Sequence, residues 1–324
     1  MRAFVTGATG FIGGRLVDRL LKDGHDVIAL VRTREDNLPD KVKIVKGDIT
    51  DSSTFQSFMK GCDRLYHLAA KITFDTRQLD ELLRINGAGT GEVLKAAAQA
   101  QVKRSVVVSS ACALGLSYSE DHVLDEQAGL DEKLASKNPY MASKIEAERE
   151  AVKAAKEMEV TIVNPTTVYG AGDRTLNSGA MIKQVANSRI IPAPPGGSNV
   201  VDVDDVVEGI IAAGERGRSG SRYTLGGENL LFTDIIKTIG GVVEHSPVIV
   251  PVPGFLRVPM AFSAGVFGRL TGSRFITPQI IGDMFAYKYY SSEGAEQELG
   301  WRAKRSFKES VAMAWRFYKD NGLA

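Results

Sequence analysis

Tyr140 and Lys144 stand four residues apart in the segment NPYMASKIEAE (138–148). The segment opens as a helix: Pro139 suits a first helical position, and a run of good helix formers follows. Four-residue spacing puts both side chains on one helical face. A phenol with an ordinary pKa of about 10 is a poor base at neutral pH, and a neighbouring ammonium would lower that value. The same ammonium could hydrogen-bond ribose hydroxyls. Ser110 closes the apolar run SVVVSS (105–110), where a hydroxyl can polarise a carbonyl oxygen. Ser110, Tyr140 and Lys144 together describe a place where a carbonyl oxygen gains or loses a proton while a bound cofactor carries the redox change. Tyr140–Lys144 is the single Tyr-x-x-x-Lys of the chain. Glu146 and Glu148, further along the same helix, read as solvated charges.

The segment TGATGFIGG (6–14) places Gly7, Gly10 and Gly13 between an apolar run and an amphipathic one. The spacing is G-x-x-G-x-x-G. Glycines there permit a tight turn and let a diphosphate approach backbone N–H groups at a helix N-terminus. Gly13 would allow the helix to pack closely on the strand. An acid about 20 residues further on would hold the ribose 2′-hydroxyl of NAD. Here ALVRTRED (29–36) offers Val31 and Arg32 instead, with Arg34 close by. A guanidinium suits a 2′-phosphate, so the expected cofactor is NADP(H), with NAD(H) as the alternative. Asp48, in KGDIT, is placed to accept from an adenine amino group, or to cap a turn.

These residues require a scaffold, and the first half of the chain supplies an alternating one. RAFVTG (2–7), DVIALVR (26–32), VKIVKGD (42–48), RLYHLAA (64–70), RSVVVSS (104–110) and VTIVNPTTVYG (160–170) read as strands. Between them, 12–24, 51–62, 85–101 and 139–157 read as helices. The pattern predicts an α/β fold: a doubly wound parallel-sheet Rossmann domain, helices on both faces, with its ligand crevice at the C-terminal strand ends. The second half is less regular. It reads as a helix (175–189), a turn region (192–199), a strand entering a helix (201–217), a strand (221–227) and a helix over 231–243 capped by Thr233 or Asp234. We expect a smaller interleaved α/β substrate domain: 1–165 binds the cofactor, and 166–324 mainly binds substrate, with about 200–217 returning to the first domain.

Forty Lys plus Arg balance 39 Asp plus Glu over 324 residues, which gives no electrostatic case for nucleic acid. Two cysteines, Cys62 and Cys112, argue against a disulfide framework and for a reducing, cytoplasmic location. His25, His67, His122 and His245 lack metal-ligand spacing, so no metal is expected. The opening residues read as a strand and glycine loop rather than a leader. The most apolar stretch (247–272) is interrupted by Pro251, Pro253, Arg257 and Pro259. It reads as irregular chain followed by an amphipathic helix that packs on the second domain or caps a pocket, with membrane contact through 254–272 as the minor alternative.

The chain resembles the extended short-chain dehydrogenase/reductases, the NAD-dependent epimerase/dehydratase family. The matching segments are TGATGFIG (6–13), GDITD (47–51), HLAA (67–70), INGAGT (85–90), SSACALG (109–115), YMASK (140–144), NPTTVYGAGD (164–173), VDVDDVV (201–207), YTLGGEN (223–229) and SSEGAEQELGW (291–301). The resemblance implies Ser110, Tyr140 and Lys144 as a catalytic triad. It implies a cofactor site of Gly7, Thr9, Gly10, Phe11, Ile12, Gly13, Arg32, Asp48, Ile49, Leu68, Ala69, Ala70, Tyr140, Lys144, Pro165 and Val168. Asn86 and Thr90 would brace strand ends, and His67 and Cys112 would be packing residues. It further suggests a homodimer through the helices at 85–101 and 139–157.

Within that group, members acting on nucleotide sugars usually carry an Arg near Ser198 and an Arg in place of Asn164. The Val31–Arg32 pair instead resembles dihydroflavonol-reductase-like members. The tail resembles that branch and also bacterial enzymes described as hopanoid-associated sugar epimerases. Leu114, Leu116, Tyr169, Met181 and Phe255 read as an apolar pocket. The expected activity is therefore NADP(H)-dependent hydride transfer between nicotinamide and a small carbonyl or alcohol substrate. The alternatives are a nucleotide- or lipid-linked-sugar epimerase or dehydratase with retained cofactor, and a non-catalytic NADP(H)-sensing protein.

Overall fold

The computed structural model describes residues 1–33, 38–128, 132–136, 138–271 and 278–324. Arg34 lies outside them. The main sheet has seven parallel strands. Six of them are β1 (Arg2–Thr6), β2 (Asp26–Val31), β3 (Lys43–Lys46), β4 (Arg64–His67), β5 (Arg104–Val108) and β6 (Glu159–Pro165). The chain then forms β7 (Thr167–Tyr169), β8 (Ile190–Ala193) and β9 (Gly197–Asp202). It returns to the main sheet as β10 (Arg222–Leu225), and continues through β11 (Glu228–Leu231), β12 (Val248–Pro251) and β13 (Tyr287–Lys288). The spatial order is β10-β6-β5-β4-β1-β2-β3. The order reverses between β1 and β4, and a crevice opens at that point in such sheets.

Apolar strands dictate this arrangement. Ala3 and Val5 of β1 pack on one face with Leu16, Val17 and Leu20 of the helix Phe11–Lys22. Phe4 packs on the other face with Val93 and Leu94 of the helix Gly89–Gln99. Alternation on strands that are buried on both sides is what a sheet with two helical layers needs. The first helix ends as its sequence suggests. Gly24 takes φ +76°, and its N–H bonds the Leu21 carbonyl at 3.0 Å.

The helix Val203–Arg216 packs against the first helix, β5 and β6. The main sheet thus draws on chain from both sides of residue 165. β7, β11 and β13 gather around β9, and β12 pairs with β8. The loop after β5 reaches the same region: Ser117 bridges to Tyr287 and Leu124 to Tyr290.

Four local expectations are corrected. Residues 51–62 form only a 3-10 turn (Ser52–Thr54) and one α-turn (Gln56–Met59). Asp51 accepts from Ser53, and the Thr54 hydroxyl donates to the Asp51 carbonyl at 2.7 Å, local bonds that compete with helix. Residues 192–199 are not all turn, since β8 and β9 enter the segment from either side. The helix Phe232–Val243 has Leu231 at its N-cap without a side-chain bond, so neither Thr233 nor Asp234 caps it. Residues 248–251 are strand rather than irregular chain, and the helix Arg257–Thr271 leaves Phe255, Val258 and Phe262 exposed beside and along it. Among the described residues no helix is long and apolar enough to cross a membrane.

Candidate active site

The loop after β1 turns at Gly7, which adopts φ +72°. A Cβ on Gly7 would lie 2.6 Å from the Ala69 nitrogen, and one on Gly13 would lie 2.0 Å from the Gly7 carbonyl oxygen. These two glycines let the loop fold against the segment after β4 and against the first helix. Gly13 thus packs its helix on the glycine loop rather than on the strand proper. Gly10 differs. A Cβ there would meet only the Gly7 oxygen, at 3.2 Å, and Gly10 borders open space on two sides. It is also the helix N-cap and carries no side-chain bond, so first-turn N–H groups are left for an anion.

Three cavities run in series across the strand ends. The first, about 450 Å³, is lined by Gly7, Thr9, Gly10, Arg32, Asp48, Ile49, Leu68, Ala69 and Ala70, among others. The second, about 530 Å³, shares the glycine loop and adds Phe11, Ile12, Gly13, Ser110, Tyr140, Lys144, Pro165 and Val168. The third, about 170 Å³, shares Ser110, Tyr140, Pro165, Thr166 and Thr167 with the second and is walled by Leu116, Asn138, Asp283, Lys288 and Tyr290. Every catalytic and cofactor residue expected from the sequence borders one of these spaces, whose succession suits a dinucleotide followed by a small substrate. Among the described residues no group of three or more His, Cys, Asp or Glu side chains could hold a metal.

In the first cavity Asp48 is committed to its own turn. Its Oδ1 accepts from the Thr50 N–H at 2.9 Å and the Thr50 hydroxyl at 2.8 Å. Those bonds, with Arg32 and Arg84 nearby, hold its carboxyl below the usual range despite burial. Turn and adenine roles can coexist, since a carboxylate has further lone pairs. Arg32 is exposed and makes no hydrogen bond or ion pair among the described residues.

At the junction of the second and third cavities, Ser110 is the cap of a 3-10 turn (Ala111–Leu114), and its Oγ accepts from the Cys112 N–H at 3.3 Å. Tyr140 reaches this point from the first turn of the helix Pro139–Ala154. Asn138 caps that helix by accepting from the Met141 N–H at 3.0 Å. The Tyr140 and Ser110 side chains both line the second and third cavities, and burial pushes the phenol well above its ordinary range. Phe74 packs edge-on against it, 5.8 Å between centroids. Lys144 is buried, and burial pushes its pKa down to about 8. Its Nζ donates to the Val108 carbonyl at 3.1 Å and lies 5.9 Å from the Tyr140 ring centroid. The expectation that Lys144 depresses the Tyr140 pKa is not met in the chain alone, because desolvation dominates.

Behind these groups the strand ends are braced. Asn86, in a π-helical turn (Leu83–Ala88), exchanges bonds with the Lys71 backbone at 2.8 and 2.9 Å and donates to the Ser143 hydroxyl at 2.9 Å. His67 bonds the Thr6 and Thr90 hydroxyls at 2.7 and 2.9 Å. Burial, helped by the Lys144 charge, pushes His67 down to about 3, so it is a neutral brace. Burial raises the Cys112 thiol to about 11, which makes it no nucleophile at neutral pH.

Several expectations are corrected. Glu148 is not a solvated charge: it is 2% exposed, and its carboxyl meets Ser109 and Asn164. Of the five apolar residues expected around a pocket, Leu116 lines the third cavity. Leu114 and Tyr169 are buried in separate clusters, Met181 packs against the cluster of Tyr169, and Phe255 is 79% exposed. Lys288, Asp283 and Tyr290 were missed because they arrive from more than 100 positions beyond Ser110, Tyr140 and Pro165 along the chain. Thr166 and Thr167 directly follow the expected Pro165 and could have been read from it.

The chain matches the model of the NAD dependent epimerase/dehydratase family over residues 3–226. A protein of Synechocystis sp. named "Putative dihydroflavonol 4-reductase" is 33% identical, covering 98% of this chain and 95% of that protein. Sterol demethylase protein B of Methylococcus capsulatus is 31% identical over 76% of this chain and 75% of its own. The crystal structure of gox2253 superposes with a TM-score of 0.87 at 30% identity, covering 99% and 98% of the two chains. The chain therefore belongs to the NAD dependent epimerase/dehydratase family and is an NAD(P)-dependent enzyme of the extended short-chain dehydrogenase/reductase type.

Proposed function

We propose that this enzyme is an NADP(H)-dependent reductase that interconverts a ketone or aldehyde and its alcohol on a small, largely apolar molecule. The observation that carries the reading is the meeting of Ser110 and Tyr140 at the junction of the two inner cavities, with Lys144 buried one helical turn away. The nicotinamide, when bound, supplies or takes up the hydride at the carbonyl carbon.

Tyr140 and Ser110 hold the carbonyl oxygen. A phenol kept protonated by burial is a proton donor, which suits the reductive direction. Lys144 holds the sugar of the cofactor and offers its charge to the phenolate left after proton donation. Pro165 and Val168 pack against the nicotinamide, Leu68, Ala69 and Ala70 line the middle of the dinucleotide, and Thr9, Gly10, Phe11 and Ile12 bring backbone N–H groups to its diphosphate. Ile49 and Asp48 face the adenine, and Arg32 pairs with a 2′-phosphate.

The third cavity favours a neutral substrate over a sugar nucleotide. Ser198 is 6% exposed, and its hydroxyl bonds Thr167 at 2.7 Å, so it offers no diphosphate contact. Among the described residues Lys288 is the one cation lining that cavity, and it shares the space with Asp283. A diphosphate is usually held by a fixed positive fork. The test is a panel of ketones and aldehydes with NADPH, followed by absorbance. Consumption of NADPH with at least one member supports the reading. Conversion of a nucleotide or lipid-linked sugar without net cofactor turnover would replace it with an epimerase.

A further inference from the structure

Tyr140, Lys144 and Glu148 recur every four residues along one buried helical face. The first two belong to the site proposed above. Glu148 lies one turn deeper, and its surroundings are constructed around its carboxyl. Oε1 accepts from the Ser109 hydroxyl at 2.5 Å and from Asn164 Nδ2 at 2.6 Å. Oε2 lies 3.5 Å from the Arg222 guanidinium on β10. The same Asn164 Nδ2 donates to the Ser110 carbonyl at 3.1 Å. Asn164 Oδ1 is buried without a partner among the described residues. A flipped amide would set that oxygen against the carboxylate and the Ser110 carbonyl, so the acid fixes the amide's orientation. Three donors from two further strands and the end of β5 thus converge on one buried side chain beside the reacting groups.

We propose that Glu148 is a positioning residue for this site: it clamps the end of β5 that carries Ser110, and its negative charge keeps the Lys144 ammonium protonated. The inference rests on the roles given above to Tyr140 and Lys144. Burial raises the Glu148 pKa, and the Ser109 and Asn164 donors with the Arg222 and Lys144 charges oppose that rise in favour of the anion; a carboxylate one turn from a buried ammonium in turn opposes the desolvation of that ammonium. Several other titratable groups face the pair. Cys112 stands on the turn after β5, and His67 lies on β4, neutral and hydrogen-bonded. Arg222 faces Glu148 from β10, and Tyr140 lies on the helix itself. Among them Glu148 is the carboxylate, so its removal leaves the ammonium without an anionic neighbour in that set.

The experiment measures NADPH affinity by fluorescence from pH 7 to 9.5 for the full chain and four variants. In the wild type, affinity falls as Lys144 loses its proton. Glu148→Gln keeps the shape and removes the charge, and its midpoint should move down by about one pH unit, a tenfold change in proton affinity. Glu148→Asp keeps the charge and should keep the wild-type midpoint. Should Glu148→Gln fail to fold, Ser109→Ala takes its place: removing one donor should move the midpoint in the same direction by a smaller amount. Superimposable profiles for wild type, Glu148→Gln and Ser109→Ala would overturn the inference, leaving Glu148 as packing. Lys144→Met separates the two readings. If its affinity remains as pH-dependent as that of the wild type, the role of Lys144 itself fails. If it becomes pH-independent while Glu148→Gln does not shift, only the role of Glu148 fails.

Discussion

The Lys144 ammonium donates to the Val108 carbonyl at 3.1 Å and stands 5.9 Å from the Tyr140 ring. A lysine buried at that point has its pKa pushed down to about 8. The charged form therefore dominates below that value and is lost as pH rises through it. Carbonyl reduction requires that charge to receive the phenolate, so kcat for NADPH-dependent reduction should fall above pH 8. Lys144→Arg, which stays protonated, should lose its alkaline limb while dropping in rate. A rate that rises steadily to pH 10 would contradict the assignment.

Replacing Tyr140 with Phe removes the proton donor and leaves the ring against Phe74. Turnover should fall by about 10²–10⁴-fold, while NADPH affinity stays within about twofold of the wild type. Steady-state assays and a fluorescence titration check the two halves separately.

Arg32 borders the adenine-side cavity and makes no hydrogen bond or ion pair among the described residues. Arg32→Ala should weaken NADPH by about 10–100-fold, the range for losing a charge-assisted pair. NADH affinity should move by less than about threefold. Equal losses for both cofactors would assign the arginine to something other than a 2′-phosphate.

The glycine loop makes a graded prediction. Gly13→Ala forces a Cβ to within 2.0 Å of a carbonyl oxygen and should prevent a stable fold. Gly10→Ala meets one oxygen at 3.2 Å and should fold, with cofactor affinity down by about tenfold or more as the methyl enters the diphosphate space. Gly14→Ala meets only ordinary contact at 3.7 Å inside a helix, and should stabilise by up to about 1 kcal/mol. Thermal melts and cofactor titrations distinguish the three.

His67 gives the fold an acid-side weakness. Its native pKa of about 3 lies below the ordinary histidine value of about 6.5. Between those values the unfolded chain binds one more proton than the native one. Stability present above pH 6.5 is therefore lost as pH falls, at about 1.4 kcal/mol per unit well below 6.5. His67→Gln should be less stable at pH 7.5, yet its urea midpoint should decline less steeply from pH 6.5 to 5.

Much of this was legible because it is local. Continuous apolar strands, a glycine triplet and the Tyr140–Lys144 spacing each act within a few residues, and each appears where expected. What was missed depends on distance. Glu148 was read as a surface charge because its formal charge outweighed its position on the face of Tyr140 and Lys144. The partners that pull it inward, Asn164 and Arg222, arrive from β6 and β10. β8 was hidden by Pro192, tolerated in a two-stranded edge pair. Lys288 and Tyr290 wall the third cavity through long-range contacts, among them the bridge of Ser117 to Tyr287 and the Tyr290 Oη bond to the Gly115 carbonyl at 2.7 Å, which no window of sequence contains.

The return of β10 to the main sheet has a consequence for biosynthesis. Until Arg222–Leu225 has left the ribosome, β6 stands as a bare edge, and Glu148 lacks its arginine. Nascent chains that stop short of residue 222 would carry an open strand of Val and Ile, a template for mispairing. An N-terminal fragment ending before residue 222 should expose that edge, and chaperone demand should peak in that interval of synthesis.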